Sequence, residues 1–174
     1  MSDGPLWTEA ASFACRLHKD QLRDDGRTPY FSHPVRVALV VATTFGCTDE
    51  AVLAAALLHD VLEDTTGDYD DLLERFGDRV AGLVSALSKD DRLVEPQREA
   101  EYDRRLSDAP WEARLIKLAD VLDNLRDATI EKARRTLLDK AQRAVDLAAD
   151  DPRLREASRI VRQAIQSTET GLAT

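Results

Sequence analysis

Residues 51–66 read AVLAAALLHDVLEDTT: eight apolar residues, then an imidazole and three carboxylates at His59, Asp60, Glu63 and Asp64. A segment that is apolar on every side predicts a helix through the middle of a core rather than one lying on its surface. Thr48, Asp49 and Glu50 supply its start, because carboxylates and small hydroxyls favour a helix N-terminus. The helical pattern carries on to Asp64, placing Glu63 one turn beyond His59 and Asp64 one turn beyond Asp60. Four such groups at the end of a buried helix have two readings. They are a solvated polar end, or they line a site that holds a cation, which would offset the clustered negative charge.

The segments on either side are helical too. Thr8 can cap a helix to about Leu22, with Ala11, Ala14, Cys15 and Leu17 facing inward, and Gly26 and Pro29 break the chain after it. Ser32 caps the next helix, Pro34 suits its first turn, and Gly46 ends it. After the TTGDY loop come two shorter helices divided at Gly77, an irregular stretch over 89–97, and an exposed helix REAEYDRRLSD. Pro110 opens a longer helix to Ala128. Two more occupy roughly 130–149 and 153–167, the second started by Asp151 and Pro152, with a frayed tail after Ser167. No alternating run of strand length and no repeat occurs. The pattern predicts an all-α, compact single domain over residues 1–174, built as a bundle of irregular helices.

Composition narrows the function. The 174 residues include 43% hydrophobic positions, enough for a real core despite 33% charged residues. A formal charge of −9 argues against a nucleic-acid partner but leaves room for a phosphorylated small molecule, since a metal and a few cations can reverse the field locally. Cys15 and Cys47 fit no zinc spacing and are expected to be reduced, part-buried packing residues. The N-terminal MSDGPLWTEA lacks the regions of a secretory leader, and no apolar run approaches the roughly 20 residues that span a bilayer. A cytoplasmic protein that does not enter the membrane is therefore expected.

Two further stretches carry chemistry. YFSHPV puts His33 at the start of a helix, where a lone histidine has no necessary role. In LIKLADVLDNLRD, Leu115, Leu118, Leu122 and Leu125 form an apolar stripe, while Lys117, Asp120 and Asn124 share another face that in isolation reads as solvent-exposed.

Taken together, His33, the His59–Asp60 pair and Asp120 resemble the metal-binding signature of the HD-domain phosphohydrolases. The resemblance goes further. GRTPYFSHPVRVA (26–38), AALLHDVLEDT (55–65), LLERFGDRVAGLVSALSK (72–89) and KLADVLDN (117–124) are similar, in order and spacing, to the hydrolase domain of RelA/SpoT-type (p)ppGpp hydrolases. It implies an HD-type fold and a small stand-alone enzyme. The implied reaction removes the 3′-pyrophosphate of guanosine 3′,5′-bis-diphosphate. By the same resemblance His33, His59, Asp60 and Asp120 bind Mn²⁺. A mixed imidazole and carboxylate set also suits Fe²⁺ or Zn²⁺. Glu63 and Asp64 handle the protons of the attacking water and the leaving ribose oxygen, Arg23 stacks on the base, and Asn124 contacts the nucleotide. The small-molecule partner implied is a phosphorylated guanine nucleotide.

The chain also departs from that pattern. Asp24 stands where the family has a phosphate-facing lysine, and Asp123 where it commonly has histidine or tyrosine. Lys140 and Ala144 stand at the places of a C-terminal arginine and tyrosine, and Lys140 is the further residue expected to contact the substrate. The departures keep two other readings open: an HD phosphohydrolase acting on another phosphorylated nucleotide or dinucleotide, and a catalytically idle nucleotide-sensing module.

Overall fold

The computed structural model describes residues 4–90, 92–127 and 131–172, with side chains of the same residues apart from 131–133 and 171–172. Asp91 in the irregular stretch, Ala128 at the expected end of the long helix, and position 130 at the expected start of the next lie outside these residues.

Helix α1 spans Leu6–Leu17, and α2 spans Ser32–Leu39 and widens into a π-helical turn over Val40–Thr44. Then come α3 (Glu50–Leu58), α4 (Val61–Asp64), α5 (Tyr69–Leu87), α6 (Gln97–Asp108) and α7 (Trp111–Asp127). Helix α8 (Glu131–Leu147), a 3₁₀ turn at Pro152–Leu154 and α9 (Arg155–Leu172) complete the described chain. Among the described residues there is no strand, and a single antiparallel bridge joins Leu22 to Pro29. The all-α expectation holds.

Helix α3 is the centre. Val52, Ala54, Ala55, Ala56, Leu57 and Leu58 are all buried, and the helix packs against α1, α2, α5 and α7. Its small alanines let those neighbours approach closely, which is why a segment with no polar face can form a helix here. Helix α7 is the second axis, packed against α2, α8 and α9. Its predicted stripe of Leu115, Leu118, Leu122 and Leu125 is buried. The start of α2, the end of α3 and the middle of α7 converge, which brings His33, His59 and Asp120 together.

Several expectations need correction. Helix α1 starts after Pro5 and stops at Leu17, so Thr8 lies inside it, and Cys15 is exposed rather than packed. Cys47 does pack against the core. The N-cap of α3 is Asp49, whose carboxylate accepts from the N–H groups of Ala51 and Val52 at 2.9 and 3.2 Å, not Thr48. Gly46 ends the second helical segment as expected, at φ +73°, and Gly77 kinks α5 at φ +78°. Helix α6 is not simply exposed, because Tyr102 and Leu106 are buried. Helix α9 continues past Ser167 to Leu172.

The loop after α4 is closely packed. A Cβ on Gly67 would lie 2.7 Å from Val61 Cγ1 and 2.9 Å from Leu17 Cδ1. Both atoms belong to side chains wedged against the core, so overpacking here costs about 1–3 kcal/mol. Gly67→Ala is expected to lower the denaturant midpoint accordingly. It should also reduce turnover, because the displaced Val61 lies two residues before Glu63.

Candidate metal and nucleotide site

The helix predicted over 51–64 is broken in the structure. His59 keeps helical dihedrals, Asp60 falls at φ −98° and ψ −1°, and the chain restarts as α4 at Val61. The break lets two adjacent side chains turn toward one point, which an unbroken helix would forbid. His59 Nδ1 lies 2.8 Å from the Ala56 carbonyl. A carbonyl can only accept, so Nδ1 carries a proton and Nε2 is the nitrogen that would face a metal. That Nε2 is buried with no hydrogen-bond partner among the described residues. Asp60 Oδ2 approaches it to 3.0 Å without hydrogen-bond geometry.

His33, in the first turn of α2, is buried on the opposite side. Its Nδ1 is 2.7 Å from Asp123 Oδ2, and its Nε2 faces inward, 3.1 Å from Asp120 Oδ1 and 3.7 Å from Asp60 Oδ2. Donor atoms of His33, His59 and Asp60 all lie within 4.8 Å of one another. Asp120 Oδ1 is 3.9 Å from His59 Nε2. The four residues singled out in the sequence are therefore brought to one point from α2, from the α3–α4 break and from α7.

The local charges are tightly bound. Burial opposes ionisation of Asp60, yet the charge of His59 holds its carboxyl down at about 2. Asp120 is likewise held well below the usual carboxylate range, against burial, by Lys117 and His33. The Lys117 Nζ lies 2.8 Å from Asp120 Oδ2. Burial works against a charged His33, but hydrogen bonds to Asp120 and Asp123 outweigh it and raise its pKa to about 9. The two carboxylates thus hold protons on the imidazoles, and a divalent cation would displace those protons to sit among the same four side chains.

Glu63 lines the same cavity, with Oε1 accepting the backbone N–H of Lys89. Burial pushes its carboxyl up. Asp64 is exposed and lies outside the cavity wall. It connects through Tyr30, whose hydroxyl donates to Asp60 Oδ2 at 2.7 Å and is 3.1 Å from Asp64 Oδ2. Burial first, and then these carboxylates, push the Tyr30 phenol upward, so it stays a donor.

The cavity is about 180 Å³ and is lined on the far side by residues of α6 and α8. Tyr102 presents its ring between the ammonium groups of Lys89 and Lys117, 5.3 and 5.6 Å from the centroid. Arg143 is tied to Glu99 at 3.0 Å and to Asp103. Lys140 is exposed at the rim and Ala144 lines the wall. Tyr102, Lys89 and Arg143 were not among the residues expected from the sequence. The one available signal was an aromatic ring in an otherwise charged helix.

Arg23 is not on the cavity wall. Its guanidinium lies 5.6 Å over the Tyr30 ring, with Nη2 donating to Asn124 Oδ1 at 2.9 Å and Nε to Asp127 Oδ2 at 3.1 Å. Asn124 in turn donates to Asp120 Oδ1 at 2.6 Å. Arg23 and Asn124, both expected to contact the nucleotide, are thus bonded to each other, and Asn124 to the Asp120 carboxylate. Asp24 is exposed in the following loop.

Comparison with known proteins places the chain in a family. A family model described as HD domain matches residues 10–147. The chain is 42% identical over 127 residues to the guanosine-3′,5′-bis(diphosphate) 3′-pyrophosphohydrolase MESH1 of Xenopus tropicalis, covering 72% of this chain and 71% of that one. Identity to the Homo sapiens MESH1 is also 42% over 127 residues, with the same shares covered. A guanosine-3′,5′-bis(diphosphate) 3′-pyrophosphohydrolase of Aquifex aeolicus is 42% identical over 120 residues, 67% of this chain and 17% of the longer protein. A solved structure of a metazoan SpoT ortholog that hydrolyses ppGpp superposes with a TM-score of 0.78 at 32% identity, covering 94% of this chain and 97% of that one. The chain belongs to the HD-domain family and, within it, to the group of MESH1-like proteins.

Proposed function

We propose that this protein is a metal-dependent guanosine-3′,5′-bis(diphosphate) 3′-pyrophosphohydrolase, converting ppGpp and water to GDP and pyrophosphate. The observation that carries the proposal is the buried His59 Nε2, free of hydrogen bonds and facing His33, Asp60 and Asp120, with Glu63 on the same cavity wall. Unpaired buried nitrogen is costly unless something binds it. His33, His59, Asp60 and Asp120 fit a divalent cation, and we assign Mn²⁺, with Fe²⁺ or Zn²⁺ suited to the same donors. When bound, such an ion polarises a phosphoryl oxygen and makes water a better nucleophile.

The chain's own groups then have these roles. Glu63 is anchored through Oε1 by Lys89, which leaves its other oxygen to take a proton from the attacking water. Its raised pKa makes it a stronger base than an exposed glutamate. Water attacks the 3′-linked phosphorus, the bond from phosphorus to the ribose O3′ breaks, and O3′ gains a proton as GDP departs. Asp64, through Tyr30, supplies the route for that proton. Lys89 and Lys117 offset phosphate charge inside the cavity and Lys140 does so at its rim. Arg23, held by Asn124 and Asp127, offers a flat cationic face to the guanine base. Within the described residues no helix is long and apolar enough to cross a membrane.

The acid at Asp24 favours one competing reading, a phosphorylated nucleotide other than ppGpp. A panel of nucleotides incubated with Mn²⁺-loaded protein separates the two, with phosphate and pyrophosphate measured independently. Pyrophosphate released fastest from ppGpp supports the proposal. Phosphate released from a different nucleotide at a higher kcat/KM would replace it.

A further inference from the structure

The geometry assigns Asp123 as the residue that positions His33 for metal binding, an inference that rests on the metal site proposed above. Asp123 sits on α7 three residues after Asp120, and in sequence it stands out as a departure that serves no evident purpose. In the structure it is buried and lies 2.7 Å from His33 Nδ1 across 90 residues of sequence. A carboxylate has nothing but acceptors to offer, so the hydrogen bond keeps the imidazole proton on Nδ1. Nε2 is then the nitrogen that would give its lone pair to a metal, on the side of Asp60 and Asp120. The negative charge behind the ring also makes that lone pair a stronger donor to a metal.

Asp123 is itself held in place. Arg36, one turn after His33 on α2, donates from Nε to Asp123 Oδ1 at 2.7 Å and from Nη2 to Oδ2 at 2.9 Å. This two-pronged pairing fixes the plane of the carboxylate as well as its position. Arg36 Nη2 also reaches Asp127 Oδ2 at 2.9 Å, one turn further along α7. Two residues of α2 and two of α7 are thereby interlocked, and the imidazole ring can neither flip nor swing. His59 has its own arrangement, the Ala56 carbonyl, for the same purpose. Each of the two histidines therefore has its outer nitrogen bonded to an acceptor and its inner nitrogen turned to the common centre.

Zn²⁺ affinity, measured on the full chain by competition with a chromophoric chelator, tests this directly, with His59→Ala as the reference for loss of a ligand. Asp123→Ala is expected to weaken binding about 10–100-fold, the range typical of losing a histidine's outer partner. Asp123→Asn, which keeps the shape but not the charge, should fall at the lower end. Arg36→Met, which touches neither His33 nor the cavity, should weaken binding by a smaller factor, and it serves if Asp123→Ala does not fold. In Zn²⁺-loaded wild type the His33 Nδ1–H should give a slowly exchanging proton resonance that disappears in Asp123→Ala, a signature that a mere packing role would not move. Folded Asp123 variants with wild-type affinity and an intact resonance, beside a His59→Ala that has lost its metal, would overturn the inference and leave the metal site standing. If His59→Ala also binds Zn²⁺ as wild type does, the metal site and the inference fall together.

Discussion

Glu63→Gln is expected to retain its metal and lose on the order of 10²-fold or more in turnover. The substitution is nearly isosteric, and the glutamine oxygen can still accept the Lys89 backbone N–H that anchors Glu63 Oε1. The other end becomes an NH₂ group, which cannot take a proton from water. Glu63 is not one of the four clustered residues, so binding of the ion should be unaffected. Turnover is measured alongside elemental analysis of the same preparation. Near-wild-type turnover at normal metal content would remove Glu63 from the proton transfer.

His59→Ala should lose the metal, and activity with it. The residue contributes an unpaired Nε2 at the centre of the cluster and balances the charge of Asp60, 3.0 Å away. With the imidazole gone, the buried carboxylates lose one counter-charge and one donor together. Metal binding also stabilises the folded chain. At free metal 100 times the dissociation constant the gain is about 2.7 kcal/mol. Wild type should therefore melt at a higher temperature with Mn²⁺ added, and the variant should show no such shift. A full metal content in His59→Ala, or an undiminished thermal shift, would remove His59 from the ligand set.

Much of this site is visible in the sequence because its ligands lie next to strong helical signals. The apolar stripe on α7 sets Asp120 and Asn124 on a second face that alone reads as solvent-exposed, and it is the resemblance to the HD-domain signature that singles them out. His33, at the start of a helix, has no necessary role by itself and is marked by the same resemblance. What sequence periodicity cannot reveal is where a buried helix breaks. Residues 51–64 keep a helical pattern throughout, whereas the chain turns at Asp60, where the carboxylate accepts a hydrogen bond from Tyr30, 30 residues away. The same limit applies to α6. Its sequence is dominated by charges, yet Tyr102 and Leu106 are buried because Lys89 and Arg143 neutralise the acids around them. Asp123 is the clearest case. By comparison with the family pattern it reads as damage to the nucleotide shell, whereas its contacts run to His33 and Arg36. A residue's partner 90 positions away cannot be inferred from spacing. Cys15 departs from the expectation for a simpler reason: α1 turns Ala10, Phe13 and Ala14 inward and leaves this cysteine on the outer face.

The central claim, metal-dependent attack of water on the 3′-linked phosphorus, can be tested in one measurement. Purified protein is freed of metal with a chelator, reloaded with Mn²⁺, and allowed to hydrolyse ppGpp in ¹⁸O-water. The account predicts GDP and pyrophosphate as products, with the label in pyrophosphate, none in the ribose 3′-hydroxyl, and no reaction before reloading. Label in the 3′-hydroxyl, release of orthophosphate in place of pyrophosphate, or unchanged turnover in the chelated protein would contradict it.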